Sequence, residues 1–92
     1  MLPCGLNPGG SGGREMLFAV IYSDINAHIL SRLAEMGIVR NVRLNGTIIL
    51  FELDKNRVPE FIEETKKILE DMGYSQKEVI ELAYSFLRNE VG

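Results

Sequence analysis

The stretch "VRLNGTIILFEL", residues 42–53, constrains the fold of this chain more than any other. Asn45-Gly46 separates two runs of strand-forming residues, and both turn residues tolerate the positive φ that a two-residue type I′ turn requires. The turn therefore predicts a β-hairpin in which Val42 lies opposite Ile49 and Arg40 opposite Phe51. One face of this hairpin then collects the apolar side chains of the core: Ile38, Val42, Leu44, Ile49, Phe51 and Leu53.

The other face of the predicted hairpin is half apolar, which is unusual for a sheet surface in contact with solvent. It combines aliphatic with polar side chains: Val39, Ile48 and Leu50 with Asn41, Arg43 and Glu52. We expect the third helix to cross to this face and cover its aliphatic patch. The alternative is that the patch docks another protein, because contiguous exposed apolar patches mark contact sites.

The segments around the hairpin predict one more strand and two helices. "MLFAVIY", residues 16–22, is an uncharged apolar run that is typical of a strand buried on both faces. A first helix is predicted to begin at a Ser23 or Asp24 cap and to end before Gly37. A second helix is predicted to have Pro59 in its first turn and to end at Gly73.

A third helix has the clearest start in the chain. Ser75 and Glu78 have the spacing of a capping box, in which each side chain binds the backbone of the other. Apolar residues continue from Val79 to Val91 and cover more of the helix surface than one packing contact needs. The predicted element order is therefore β-α-β-β-α-α.

This order predicts an α+β fold with a three-stranded, mainly antiparallel sheet and helices packed on it. A right-handed β-α-β crossover followed by a hairpin places strand three between the other two, in the order 1-3-2. The plan resembles the ferredoxin-like split β-α-β arrangement, without its fourth strand. At 92 residues the chain is one domain, spanning residues 15–92, after a Gly- and Pro-rich leader at residues 1–14 that we expect to be disordered.

Strand one would lie at the edge of this sheet, although its composition suits a central strand. Natural edges are blunted by charge, proline or covering, so either the third helix lies over this strand within the monomer or a second copy of the chain pairs with it. We expect the second copy, because two-fold dimers are the commonest oligomers. The predicted partner is thus a homodimer or a larger protein assembly. The candidate interface residues come from strand one and the third helix: Met16, Phe18, Val20, Tyr22, Leu82, Tyr84, Phe86 and Val91.

The sequence predicts no catalytic, cofactor-binding or metal site. His28 is the single histidine and Cys4 the single cysteine, which is too few ligands for a transition-metal centre. Asp24, His28 and Ser31 are close in sequence, but all three lie on one predicted helix, whereas a triad needs converging groups. We therefore expect the protein not to be an enzyme.

Charge and hydropathy exclude two further classes of partner. The net charge of −3 and the pI near 5.1 disfavour nucleic-acid binding, and the outward hairpin positions contain no aromatic ring for base stacking. No apolar run approaches the roughly 18–20 residues of a membrane span. The lone cysteine and the lack of a secretory pattern at residues 1–10 predict a cytoplasmic protein.

Together these features predict a small non-catalytic protein that acts through self-association or as an accessory subunit of a larger assembly. The alternative is a ferredoxin-like regulatory module that binds a small ligand at a dimer interface.

Overall fold

The computed structural model describes residues 15–91, which form an antiparallel sheet and three helices. The strands are β1 (Glu15–Ile21), β2 (Val39–Asn45), β3 (Ile48–Asp54) and β4 (Glu90–Val91). The helices are α1 (Asp24–Glu35), α2 (Val58–Asp71) and α3 (Gln76–Ser85), and a short 3₁₀ turn (Lys55–Arg57) precedes α2. The predicted leader at residues 1–14 and Cys4 within it lie outside the described residues.

The helix ends confirm the predicted caps. The Ser23 hydroxyl accepts a hydrogen bond from the Asn26 backbone N–H at 3.0 Å and begins α1. At the start of α3, Ser75 and Glu78 form the predicted capping box. Gly37 and Gly73 follow α1 and α2 with φ of +77° and +94°, which glycine adopts without the steric penalty of a Cβ atom.

The sheet contains four strands in the order β2-β3-β1-β4, and each neighbouring pair is antiparallel. Strand β3 lies between β1 and β2 as predicted, but the prediction of a three-stranded sheet is wrong. Helix α3 ends at Ser85, and the chain then returns to pair Val91 with Leu17. The Ala19 N–H also donates to the Asn89 carbonyl at 3.0 Å, so β1 is an interior strand rather than an edge.

The hairpin forms where it was predicted, but with a different turn and register. Asn45 pairs with Ile48, so the two loop residues are Gly46 and Thr47 rather than Asn45 and Gly46. Gly46 has a φ of +67°, and glycine at the first loop position is typical of a type II′ turn. Ile49 is consequently opposite Leu44 instead of Val42.

A β-bulge in β2 changes which side chains share a face. The register shifts between Arg40 and Arg43, where Asn41 has a φ of +52°. Beyond the bulge Val39 pairs with Leu53 and is buried in the core, so its predicted outward position is wrong. Arg40 pairs with Glu52 rather than with Phe51, which moves its side chain away from the core.

One hydrophobic core lies between the sheet and the helices. Phe51 is fully buried at its centre, with its ring centroid 5.6 Å from that of Phe18 and 5.8 Å from that of Phe61. The same cluster contains buried residues from all three helices: Ile29, Leu30 and Leu33 of α1, Phe61, Ile62, Ile68 and Leu69 of α2, and Val79 and Ala83 of α3. All three helices therefore pack on one face of the sheet, and α3 does not cross to the other face as expected.

Candidate functional site

The face of the sheet opposite the helices carries a continuous aliphatic surface. Residues opposite one another on antiparallel strands share a face, and Ala19 pairs with Leu50, Ile21 with Ile48, and Leu17 with Val91. These positions alternate along the strands with the core residues, so their side chains point away from the helices. We call this surface the open sheet face, and it consists of Leu17, Ala19, Ile21, Ile48, Leu50 and Val91.

The open sheet face ranges from well exposed to nearly covered. Ile21 is 68% exposed at one end, and Val91 is exposed on the short outer strand. Leu50 lies at the centre, between Ala19 of β1 and Arg43 of β2, and is only 9% exposed. No helix among residues 15–91 packs on this surface, and its exposed members are Ile21 and Val91.

Charged and polar residues border the open sheet face. Arg40 forms an ion pair with Glu15, and the Asn41 Nδ2 donates to the Glu52 carboxylate at 2.9 Å. Arg43, opposite Leu50, donates to the Asn41 carbonyl at 3.0 Å and has no carboxylate partner among the described residues. An apolar centre with a polar rim is the usual composition of a protein–protein interface.

The predicted interface residues fall into three groups. Phe18, Val20 and Phe86 are buried in the core, where they contact the protein's own helices and sheet. Met16 and Leu82 are partly buried against that core. The exposed members are Tyr22, Tyr84 and Val91, of which only Val91 belongs to the open sheet face.

On β1, the residues named from the sequence alternate with those of the open sheet face. The sequence interpretation named Met16, Phe18, Val20 and Tyr22, whereas the residues directed away from the helices are Leu17, Ala19 and Ile21. The signal was present in the hairpin, since Ile48 and Leu50 were already assigned to the half-apolar face. Pairing those two residues with β1 would have selected Ile21 and Ala19.

A second feature is an apolar groove of about 360 Å³ between α1 and the hairpin. Small residues of α1 form one wall: Ala27, Ser31 and Ala34. The opposite wall is formed by the hairpin residues Val42, Leu44 and Ile49. Tyr22 and Arg43 complete the lining, and Arg43 is the one charged residue among the described residues that line the groove.

A second cleft, of about 270 Å³, is polar, and both of its arginines have partners. Arg40 pairs with Glu15 at its wall. Arg57 donates through Nη1 to the Gly37 carbonyl at 2.6 Å and through Nε to Glu60 at 2.9 Å. These contacts link the ends of α1 and α2 to the sheet, so the cleft is explained by packing.

Within residues 15–91, no group of three or more His, Cys, Asp and Glu side chains is placed to hold a metal ion. His28 is exposed on α1, away from the core. In the same part of the chain, no helix combines the length and the hydropathy that crossing a membrane requires.

Comparison with known proteins yields no relative: no protein-family model matches the chain, and no curated protein or solved structure matches it significantly.

Proposed function

We propose that this protein is a non-catalytic association module whose open sheet face binds a second copy of the same chain. The observation that carries the proposal is the aliphatic surface around Leu50, which no described helix covers. We also propose that the fold is ferredoxin-like, with two helices in the second crossover. The four-stranded order β2-β3-β1-β4 supports this interpretation.

A second copy fits the open sheet face because the face is complementary to itself. A two-fold axis parallel to the strands, between β1 and β3, would place β3 of one protomer over β1 of its partner. Since Leu50 pairs with Ala19 within one sheet, the axis sets the large Leu50 side chain against the small Ala19 of the other copy. Ile48 would likewise contact Ile21, so aliphatic groups meet aliphatic groups throughout the centre.

The size of the face predicts a weak dimer. Three seven-residue strands and the two-residue β4, at about 3.3 Å per residue and about 4.8 Å between strands, give a projected area of roughly 350 Å² per protomer. A standard interface buries about 800 Å² of accessible surface on each partner. The proposed interface is smaller than this, so we expect a weak dimer that dissociates in the micromolar range.

Two exposed isoleucines provide a matched test of the association. Ile21 lies on the open sheet face and is 68% exposed, while Ile80 lies on α3 and is 48% exposed. Sedimentation equilibrium of the full chain between about 1 and 300 μM should show dimerisation of the wild type. Ile21→Lys should abolish dimerisation, because it places a charge among the aliphatic contacts of the interface, and Ile80→Lys should leave it unchanged.

A wild type that stays monomeric over this range would refute self-association, as would equal weakening by both lysine variants. A dimer that persists in Ile21→Lys would exclude the open sheet face as its interface. A monomer that elutes with a different protein from its native source would instead support the role of accessory subunit.

A second candidate function is a regulatory module that binds a small ligand. The groove between α1 and the hairpin favours it, because its volume of about 360 Å³ lies within the range typical of ligand pockets. A ligand-dependent rise in melting temperature would support this function, since a ligand that binds only the folded state stabilises it.

A further inference from the structure

We infer that the groove between α1 and the hairpin binds a small organic anion with an apolar body, such as a medium-chain carboxylate. This inference rests on the second candidate function and is independent of self-association through the open sheet face. It assigns the apolar body to the groove walls and the anionic group to Arg43.

The groove exists because α1 presents different residues to its two neighbours. Ile29, Leu30 and Leu33 fill the core beneath the helix. The adjacent stripe, directed toward β2, consists of Ala27, Ser31 and Ala34, whose small side chains do not reach the hairpin. Apolar side chains of the hairpin are therefore left without a packing partner on this side.

Leu44 shows the consequence most clearly. It belongs to the core side of the hairpin through its pairing with Ile49, yet it is 62% exposed. Val42, on the same wall, is only partly buried. A ligand with an apolar body would cover both side chains, and burial of this apolar surface would favour its binding.

The volume limits the size of that body. At about 30 Å³ per water-sized group, a groove of about 360 Å³ holds on the order of ten non-hydrogen atoms. An eight-carbon carboxylate has this size. Larger ligands would extend past Leu44 into solvent.

The charge of the lining selects an anion. The pairing with Leu50 places Arg43 at the border of the open sheet face, but β2 is an edge strand and Arg43 also lines the groove from that free edge. No acidic residue lines the groove among the described residues. The Arg43 Nη1 donates to the Asn41 carbonyl at 3.0 Å, and the remaining guanidinium donors have no carboxylate partner within residues 15–91. A guanidinium binds carboxylates in a two-pronged geometry, and the Tyr22 and Ser31 hydroxyls add polar groups to the lining.

The test is a titration of the isotope-labelled full chain with octanoate, followed by the amide resonances in two-dimensional NMR. We expect saturable shifts at Ala27, Ser31, Ala34 and Leu44. Octanol, with the same apolar chain and no charge, should bind about tenfold more weakly, because it lacks the charged hydrogen bond to Arg43. Octylamine should bind more weakly still.

Two variants and one control variant test whether octanoate binds in the groove. Arg43→Met should remove the preference for octanoate over octanol, whereas Arg88→Met, in a different cleft beside β1, should preserve it. Ala34→Leu should fill the groove and weaken octanoate binding at least tenfold. The amide spectrum itself shows whether each variant remains folded.

Equal affinity for octanoate and octanol would overturn the inference, as would resonance shifts centred on Ala19 and Leu50 instead of the groove. The same titration on the Ile21→Lys variant separates the two proposals. Groove binding should survive there whether or not the wild type dimerises, and its loss in this variant alone would place the ligand at the open sheet face.

Discussion

Replacing Thr65 by valine should stabilise the protein. Thr65 lies on the buried side of α2 and is 0% exposed. Its hydroxyl oxygen is buried and has no hydrogen-bond partner among the described residues. Burial of a hydroxyl without a partner costs about 1–3 kcal/mol in protein mutational data, since the hydrogen bonds to water are lost and not replaced.

Valine has nearly the shape of threonine, so the substitution replaces the hydroxyl by a methyl group without opening a cavity. Valine and threonine also have similar helix propensities, and both have restricted χ1 rotation in a helix. The expected gain is therefore about 1–2 kcal/mol in the free energy of unfolding. For a domain of 60–100 residues, that corresponds to a rise of roughly 4–15 °C in melting temperature.

The measurement is urea unfolding of wild type and variant, followed by far-ultraviolet circular dichroism, with a thermal melt as a second determination. Thr65→Ser is the matched control, because it retains the hydroxyl and removes the methyl group. It should lower stability by about 1 kcal/mol through the lost apolar contact and the small cavity.

The reasoning fails if Thr65→Val destabilises the protein or leaves its stability unchanged. Such a result would mean that the hydroxyl has a partner, most simply the Phe61 carbonyl one turn earlier in α2. The serine control would then lose less than the valine variant, which reverses the expected order.

Two further substitutions test the core and the bulge. Phe51→Ala should lower the free energy of unfolding by about 3–5 kcal/mol, because Phe51 contacts the rings of Phe18 and Phe61 within the core. Urea unfolding measures this loss, and a protein whose total stability is of the same size would be largely unfolded even in water. Asn41→Val should cost about 1–3 kcal/mol, because a β-branched residue is strained at a φ of +52°, whereas Asn41→Gly should change stability by less than about 1 kcal/mol. Equal stability of the two Asn41 variants would contradict the role assigned to this backbone conformation.

The sequence predicted those elements that local chemistry determines. Ser23 and Ser75 have side chains that bind the backbone a few residues away, so both helix starts could be placed without tertiary information. The hairpin was also predictable, because Gly46 supplies the positive φ that its turn requires. In each case the signal and its effect lie within a few residues of one another.

The features of the fold that the sequence did not predict depend on contacts between distant residues. Strand β4 has two residues, Glu90 and Val91, and so short a segment shows no alternation that could identify a strand. The shift at Asn41 depends on how β2 fits against β3 and on no pattern within β2 itself. Because that shift changes the faces of Arg40 and Val39, the positions of these two side chains could not be assigned correctly from the sequence.

The bulge at Asn41 also affects how the protein can aggregate. Strand β2 is a long free edge of the sheet, and an unbroken edge of this length would offer its backbone groups to a strand from another molecule. The irregular backbone at Asn41, with Arg40 and Arg43 on either side, interrupts that row of donors and acceptors. Edge pairing can repeat without limit and produce fibrils, whereas contact through one sheet face is complete after two molecules. The bulge thus disfavours the growth of a filament from this edge.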